Sequence, residues 1–153
     1  MTAPLLDVRG LSVEFPLRRR RLQALDGISF MLEAGDVLGF VGESGAGKSL
    51  TGAAIMGLLE PPGRITAGTI ALQGRRIEDD AASVRGGEIG MIFQDPLTSL
   101  NPLRTVGDQL VETIQLHLGL SGDAAEARAI ELLEEVGIDP ERRGELRRRR
   151  LGQ

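Results

Sequence analysis

The chain has 153 residues, 41% of them hydrophobic, and its 18 basic and 22 acidic residues give a formal net charge of −4. This length suits one domain with a packed core. The negative charge and the 3% aromatic content argue against a general nucleic-acid or membrane-surface binder. Cysteine is absent, which excludes disulfides and thiolate metal sites. Because no secretory signal and no apolar run of roughly 18 residues is present, we expect a soluble cytoplasmic protein.

Alternations and short runs of apolar residues predict an α/β arrangement over the first part of the chain. The uninterrupted apolar run at Val37 indicates a strand buried on both faces, whereas alternation is typical of strands with one buried face. We expect a polar, turn-rich connection after the first strand. A helix is predicted over Leu50 to Leu59, and Pro61-Pro62-Gly63 would end it. The five predicted strands are Leu5 to Phe15, Ile28 to Leu32, Val37 to Val41, Thr69 to Leu72 and Glu88 to Phe93.

The pattern changes to helix from Thr105 onward. Thr105 and Asp108 resemble a capping box at the start of a first helix. A second helix is expected from Asp123 to Val136, with Ser121 as its cap and Gly137 as its left-handed stop. The apolar residues predicted to share a face of these helices are Val106, Leu110, Ile114, Leu118, Ala129, Leu133 and Val136.

The segment GESGAGKS, residues 42–49, follows the apolar run and precedes the predicted helix. It fits the pattern G-x-x-x-x-G-K-[ST] of a phosphate-cradling loop. Glycines let backbone N–H groups point inward at phosphate oxygens, and the helix N-terminus adds partial positive charge. Lys48 is placed to neutralise the β- and γ-phosphates, and the Ser49 hydroxyl to ligate Mg²⁺. The segment therefore predicts a nucleoside triphosphate site, and the alternative is a chance glycine-rich turn.

Lys48 is the only lysine among the 18 basic residues of the chain, and all the others are arginines. Arginine therefore serves wherever this chain needs an ordinary surface cation. A lysine at position 48 suggests a site that admits a slim ammonium but not a broad planar guanidinium. Since the net charge is negative, any anion site must be local.

A second stretch, MIFQDPLTSLNP at residues 91–102, indicates the class of nucleotide-binding protein. Gln94 ends a predicted buried strand about 45 residues after Lys48, where its amide can reach a metal ion and an attacking water. Here the sequence resembles the ATP-binding subunits of ABC transporters. The string itself is similar to the oligopeptide/dipeptide and nickel importer subfamily. The alternative is an ordinary strand exit with two turn-forming prolines.

The resemblance extends from LLDVRGLSVEF, which begins at Leu5, to GIDPERR, which ends at Arg143. It implies an incomplete α/β P-loop NTPase fold of ABC type, with a mixed sheet, N-terminal antiparallel strands and a helical subdomain. The implied divisions are an ATP-binding core over 1–103 and the start of the helical subdomain over 104–138. A tail over 139–153 is expected to be disordered.

The resemblance also implies cofactors and site residues. The cofactors would be ATP and Mg²⁺. Phe15 would stack on adenine, although a plain core residue at a strand end is an equal alternative. Gln94 would position the attacking water and share Mg²⁺ with Ser49, and Asp95 to Pro102 would form a loop that senses the membrane subunit. The residues implied to contact the phosphates are Gly42, Glu43, Ser44, Gly45, Ala46, Gly47, Lys48 and Ser49.

The resemblance stops before the segments that complete such a subunit. After GIDPERR the chain lacks the signature, the Walker B aspartate, the catalytic glutamate and the switch histidine, so we expect a truncated or frame-disrupted subunit. The leading hypothesis is the ATP-docking portion of a peptide-type ABC importer, and whether it hydrolyses ATP stays open. The whole subunit would work with a second ATPase subunit and membrane-spanning permease subunits at the cytoplasmic face of the membrane. The alternatives are a binding-only or non-functional remnant and a soluble ABC-type ATPase without a transport role.

Four charged features are interpreted as solvated or structural. The runs Arg18 to Arg21 and Arg147 to Arg150 could bind anions or lipid headgroups, but a solvated loop and a solvated tail are favoured. His117, the only histidine, is expected at a helix surface. The acidic cluster Glu78-Asp79-Asp80 is expected to be a solvated loop and not a metal site.

Overall fold

The computed structural model describes residues 3–93 and 100–138, which divide into two compact units after Met91. The first unit contains a four-stranded antiparallel sheet in the order β2-β1-β3-β4 and one helix. Its elements are β1 Leu6–Leu17, β2 Arg20–Leu32, α1 Lys48–Ile55, β3 Arg64–Leu72 and β4 Arg75–Arg76. The second unit contains α2 Val106–Leu118 and α3 Asp123–Glu135.

Strands β1 and β2 form one long hairpin. Leu17 pairs with Arg20, so only Arg18 and Arg19 lie in the turn. The expectation of a long polar connection is wrong, because β1 continues to Leu17, beyond the predicted end at Phe15, and β2 begins already at Arg20, well before the predicted start at Ile28. Both strands thus run further than their apolar alternation indicates. Three shifts in register interrupt the pairing, so the offset between paired residues of β1 and β2 is not the same at the two ends of the hairpin.

The core of the first unit lies between the sheet and α1. The sheet supplies Leu11, Val13 and Ile70, which are fully buried, and α1 supplies Ala54 and Ile55. Each buried aliphatic side chain of this kind stabilises the fold by roughly 1.5–3 kcal/mol. The core therefore joins the hairpin to the helix that follows the glycine-rich segment.

Two of the five predicted strands do not form. Residues 37–41 and 88–93 are not paired as strands among the described residues, and Val37 and Val41 are 98% and 100% exposed. A strand buried on both faces needs neighbours on its two edges, and within residues 3–93 and 100–138 the only sheet is the antiparallel one. Phe40 alone is tied back, with its ring edge-on to Phe30 at 5.1 Å between centroids.

Helix α1 is shorter than predicted. It begins at Lys48 and ends at Ile55, so the two prolines do not terminate it. Gly57, with φ of 61°, takes the left-handed position after the helix, and the N–H of Leu58 donates to the carbonyl of Ala53 at 2.8 Å. This is a glycine-based helix stop, which competes successfully with the later Pro signal.

The second unit is a pair of packed helices. The Thr105 hydroxyl accepts a hydrogen bond from the N–H of Asp108 at 3.1 Å, which confirms the predicted cap of α2. Helix α3 begins after Gly122, which makes no side-chain cap, so the prediction of Ser121 is wrong. Ile114 is the buried residue of α2 and contacts a small core completed by Ala125 and Ala129 of α3. In the described residues, no helix is long and apolar enough to cross a membrane.

Candidate functional site

The glycine-rich segment forms an exposed loop that leads directly into α1. Gly45 and Gly47 both have φ of 85°, a left-handed conformation that residues with a Cβ adopt only with strain. Gly47 is the N-cap residue, directly before the first helical residue Lys48. The two left-handed residues turn the chain within the loop, so the sequence pattern and the backbone agree on a tight turn.

Lys48 reaches back across this loop. Its ammonium donates to the carbonyl of Gly42 and to the carbonyl of Glu43, each at 2.7 Å. An ammonium has three N–H donors, so these two bonds leave one for an anion. The two carbonyls therefore hold the positive charge over the loop and fix its position.

The loop also offers free backbone donors. The N–H of Ala46 closes a turn onto the carbonyl of Glu43 at 3.2 Å. The N–H groups of Ser44, Gly45 and Gly47 donate to no acceptor in the described part of the chain. The first turn of α1 contains no acidic residue, so nothing there offsets the positive end of the helix. Free donors, a fixed ammonium and a helix N-terminus together form an anion cradle.

The loop lies against the sheet at Gly47. A Cβ at this residue would stand 2.5 Å from Cδ2 of Leu25 and 3.3 Å from the carbonyl oxygen of Ala24, both in β2. The adjoining Thr51 is 2% exposed, and its hydroxyl donates to the carbonyl of Gly47 at 2.9 Å. Sequence reasoning missed Leu25 and Thr51, because no motif marks a contact between a loop and a strand some twenty positions away. Both residues hold the loop in place and do not line it.

Ser49 is exposed in the first turn of α1, next to Lys48. Its hydroxyl is an oxygen ligand of the type that Mg²⁺ accepts. Gln94, the predicted second ligand and water-positioning residue, lies outside the described residues, as do Asp95 to Ser99 of the predicted sensing loop. No group of three or more His, Asp or Glu side chains that could hold a metal ion occurs within the described ranges.

Phe15 lies near the end of β1 and is half-buried. It pairs with Leu22 of β2 and packs against the edge of the core. A Cβ added at Gly63 would meet its ring at 2.6 Å, so the ring rests directly on that glycine. The partial exposure leaves room for a ligand, and the role of Phe15 toward adenine stays a prediction.

The acidic cluster is only partly solvated. Glu78 has a side chain that is 8% exposed, so the expectation of a solvated loop is wrong for this residue, while Asp79 and Asp80 are exposed. Its carboxylate accepts from Nε of Arg76 at 2.6 Å and from the N–H of Ile70 at 3.2 Å. Burial alone would raise the pKa of Glu78, but the hydrogen bonds from Arg76 and from backbone N–H groups outweigh it, so its pKa is lowered. Glu78 therefore closes the edge of the sheet between β3 and β4.

The other charged features are exposed. Arg18, Arg19, Arg20 and Arg21 form the tip of the β1–β2 hairpin, and His117 is exposed in the last turn of α2. Arg147 to Arg150 lie outside the described residues.

In the second unit, Gln109 accepts a hydrogen bond from the N–H of Asn101 at 2.8 Å and donates one to the Asn101 carbonyl at 3.2 Å.

Comparisons with known proteins identify relatives of the chain. The ABC transporter family model matches residues 25–152. The chain is 48% identical over 145 residues to the oligopeptide transport ATP-binding protein OppD of Bacillus subtilis, an alignment that covers 91% of the chain and 40% of that protein. It is 46% identical over 144 residues to the dipeptide transport ATP-binding protein DppD of Haemophilus influenzae, covering 91% of the chain and 44% of that protein. The chain thus spans less than half the length of these curated relatives.

Solved structures agree on the fold. A dimeric ATP-binding cassette in a post-hydrolysis state, bound to ADP and Pi, matches with a TM-score of 0.75 and 20% identity, covering 89% of this chain and 59% of that one. A second dimeric structure of the same cassette, MJ0796, which is described as a bacterial ABC transporter cassette, matches with a TM-score of 0.74 at the same identity and coverage. At this identity the likeness concerns the fold, and it confirms the predicted incomplete P-loop domain of ABC type.

Proposed function

The chain belongs to the ABC transporter family, and from this premise we propose that it forms the ATP-docking portion of the ATPase subunit of a peptide importer. The observation that carries the proposal is the anion cradle at the start of α1. There Lys48 is held by two carbonyls at 2.7 Å, and the same loop has backbone N–H groups without an acceptor in the described residues. A triphosphate supplies the dense negative charge that such a cradle binds.

We assign the residues of the cradle to different parts of the Mg²⁺-bound triphosphate. The N–H groups of Ser44, Gly45 and Gly47 donate to phosphate oxygens, while Lys48 uses its remaining donor on the β- or γ-phosphate. The Ser49 hydroxyl and, from outside the described residues, the Gln94 amide would hold Mg²⁺. Bound there, the ion would offset the negative charge of the triphosphate. The ligands of this chain fit that ion, since a hydroxyl and an amide carbonyl both offer hard oxygen atoms and the hydroxyl is exposed beside the cradle.

Phe15 is the residue of this chain that we assign to the base. It is half-buried at the end of β1, two residues from Val13, which pairs with the Leu25 that contacts the phosphate loop. Two residues along a strand span on the order of 7 Å. A nucleotide held by its phosphates at the loop can thus reach the Phe15 ring with its base.

The peptide-transport part of the proposal rests on the relatives, which are named as oligopeptide and dipeptide transport ATP-binding proteins. In the whole protein, a second ATPase subunit would complete a dimer, and membrane-spanning permease subunits would be the partners at the cytoplasmic face of the membrane. The two packed helices of the second unit would face those permease subunits. ATP binding by this chain would then drive a transport step in the whole protein.

A second candidate is a docking module that binds ATP and needs further strands to turn it over. The observation that favours it is the near-complete exposure of Val37, Val41 and Ile92, since apolar segments of this kind normally pair or pack. The exposure of Val37 and Val41 places apolar surface directly before the loop in the chain. Both candidates require the same cradle, so nucleotide binding is the first property to measure.

Equilibrium titration with a fluorescent ATP analogue and Mg²⁺ tests the proposal on the chain and on Lys48→Ala. Removal of a charged hydrogen-bond donor costs about 1.5–3 kcal/mol, so we expect binding to weaken by at least tenfold. Arg128→Ala, which removes an equal charge from the other unit, is the matched control and should bind as the unaltered chain does. Phosphate release in the same samples separates the two candidates. Equal affinity in the chain and in Lys48→Ala would contradict both of them.

A further inference from the structure

We propose that Gly63 is a positioning residue, which sets the orientation of the Phe15 ring and through it the preference of the site for a nucleobase. The inference rests on the proposed function, because it concerns the base end of the same nucleotide. Gly63 lies outside the glycine-rich loop, and the sequence pattern marks it only as part of the Pro61-Pro62-Gly63 turn signal. Its importance comes from one contact.

The contact is closer than any side chain at position 63 would allow. A Cβ built on Gly63 would stand 2.6 Å from Cε1 and 2.8 Å from Cζ of Phe15. Real Cβ atoms do not approach ring carbons to these distances, so the Phe15 ring occupies the volume that a side chain at 63 would fill. The ring is therefore placed by the absence of that side chain.

The register of the sheet explains why the ring leans toward Gly63. Glu14 pairs with Arg64 of β3, which puts Phe15 next to the residue that precedes the strand, namely Gly63. On its other side Phe15 pairs with Leu22 of β2. Directly opposite residues on neighbouring strands share a face, so Leu22 and Phe15 compete for space above the sheet. With a large side chain on one side and none on the other, the ring settles over the glycine.

Gly63 is itself held by the segment that leaves the phosphate-binding helix. Its N–H donates to the carbonyl of Glu60 at 2.8 Å, which closes a turn between α1 and β3. Leu59, just before this turn, packs on the core of the first unit. The helix that begins at Lys48 and the residue that supports the Phe15 ring are thus joined by one short, packed connection. The phosphate end and the base end of the site are held by the same segment.

Gly63 can be tested with a small side chain, because its φ is not in the left-handed region. An alanine there is permitted by its own conformation, and what opposes it is the Phe15 ring and, at 2.9 Å, the carbonyl oxygen of Glu60. Gly63→Ala should therefore push the ring toward Leu22 and spoil a stacking surface without touching the phosphate cradle. Stacking on an aromatic side chain accounts for about a tenfold change in affinity for one base.

The test measures the affinities of ATP and of inorganic tripolyphosphate for four forms of the full chain. These are the unaltered chain, Gly63→Ala, Phe15→Ala and the double variant. Gly90→Ala is the matched control, since Gly90 has an ordinary φ and open space around its Cβ position. We expect Gly63→Ala to lose about tenfold in ATP affinity and nothing in tripolyphosphate affinity. In the Phe15→Ala background it should cause no further loss, because the ring through which it acts is gone.

The outcomes separate the inference from the function on which it rests. If the unaltered chain binds neither ligand, the proposed function fails and the inference fails with it. If the chain binds both and Gly63→Ala weakens both equally, or weakens ATP again without Phe15, the inference alone is overturned. Should Gly63→Ala not fold, the double variant decides. Recovered folding supports the contact with the ring, and continued failure contradicts it.

Discussion

Two apolar regions of the first unit differ in how far their side chains are buried. Strand β1 has partners on both edges, and its Val8, Leu11 and Val13 are buried. Residues 37–41 form an uninterrupted apolar run, whereas β1 alternates, yet they have no strand beside them in the described residues, and Val37 and Val41 are almost fully exposed. An apolar segment tends to pair as a strand, but its side chains are buried only where other strands lie along its edges.

We expect the largest difference in stability between the two regions when one valine in each is replaced by alanine. Val13→Ala removes two methyl groups from a fully buried position, and we expect a loss of about 2–3 kcal/mol in the free energy of unfolding. Val37→Ala makes the same chemical change at a position that is 98% exposed, and it should alter stability by no more than about 0.5 kcal/mol. Urea unfolding of both variants is the measurement. Similar losses at the two positions would mean that residues 37–41 are packed in solution.

The border between the two regions is Gly47, where the loop after the exposed segment meets β2. Gly47→Ala combines a left-handed residue with a contact of 2.5 Å to Leu25, and we expect it to cost about 2 kcal/mol. Gly45→Ala has the same φ of 85° in open space, so it should cost only the backbone strain, about 1 kcal/mol. Thermal unfolding measures the difference. Equal costs would show that the loop does not rest on the sheet.

The other edge of the sheet is closed by a carboxylate instead of apolar packing. Glu78→Gln keeps an acceptor for the N–H of Ile70 but loses the charge that faces Arg76, and we expect a loss of about 1 kcal/mol at pH 7. The pKa of Glu78 is lowered in the folded chain, so its contribution is full above the ordinary carboxyl pKa and disappears as the pH falls through the folded value. Unfolding of both proteins at pH 7 and in acid should show the difference shrinking. A constant difference would assign the effect to shape and not to charge.

Residue patterns predicted the parts of the molecule that follow local rules. The glycine-rich loop, the presence of a helix directly after it and the Thr105 cap all depend on residues within a few positions of one another. The contacts of Gly47 with Leu25 and of Gly63 with Phe15 could not be predicted, because they join positions 22 and 48 residues apart through the register of the sheet. Residues 37–41 were predicted as a strand since the pattern is strand-like, and the missing neighbour is not visible in a pattern. The burial of Glu78 was hidden for the same reason, because its partner Ile70 lies on another strand.

The most direct test of the account is the affinity of Lys48→Arg for ATP with Mg²⁺, measured by calorimetric titration beside the unaltered chain and Lys48→Ala. The two carbonyls at 2.7 Å enclose a compact ammonium, and a planar guanidinium does not fit that position although it has the same charge. We expect Lys48→Arg to bind ATP at least about tenfold more weakly than the unaltered chain does, with an affinity close to that of Lys48→Ala. Binding of Lys48→Arg equal to that of the unaltered chain would contradict the central claim, because charge alone, and not the shape of the cradle, would then hold the nucleotide.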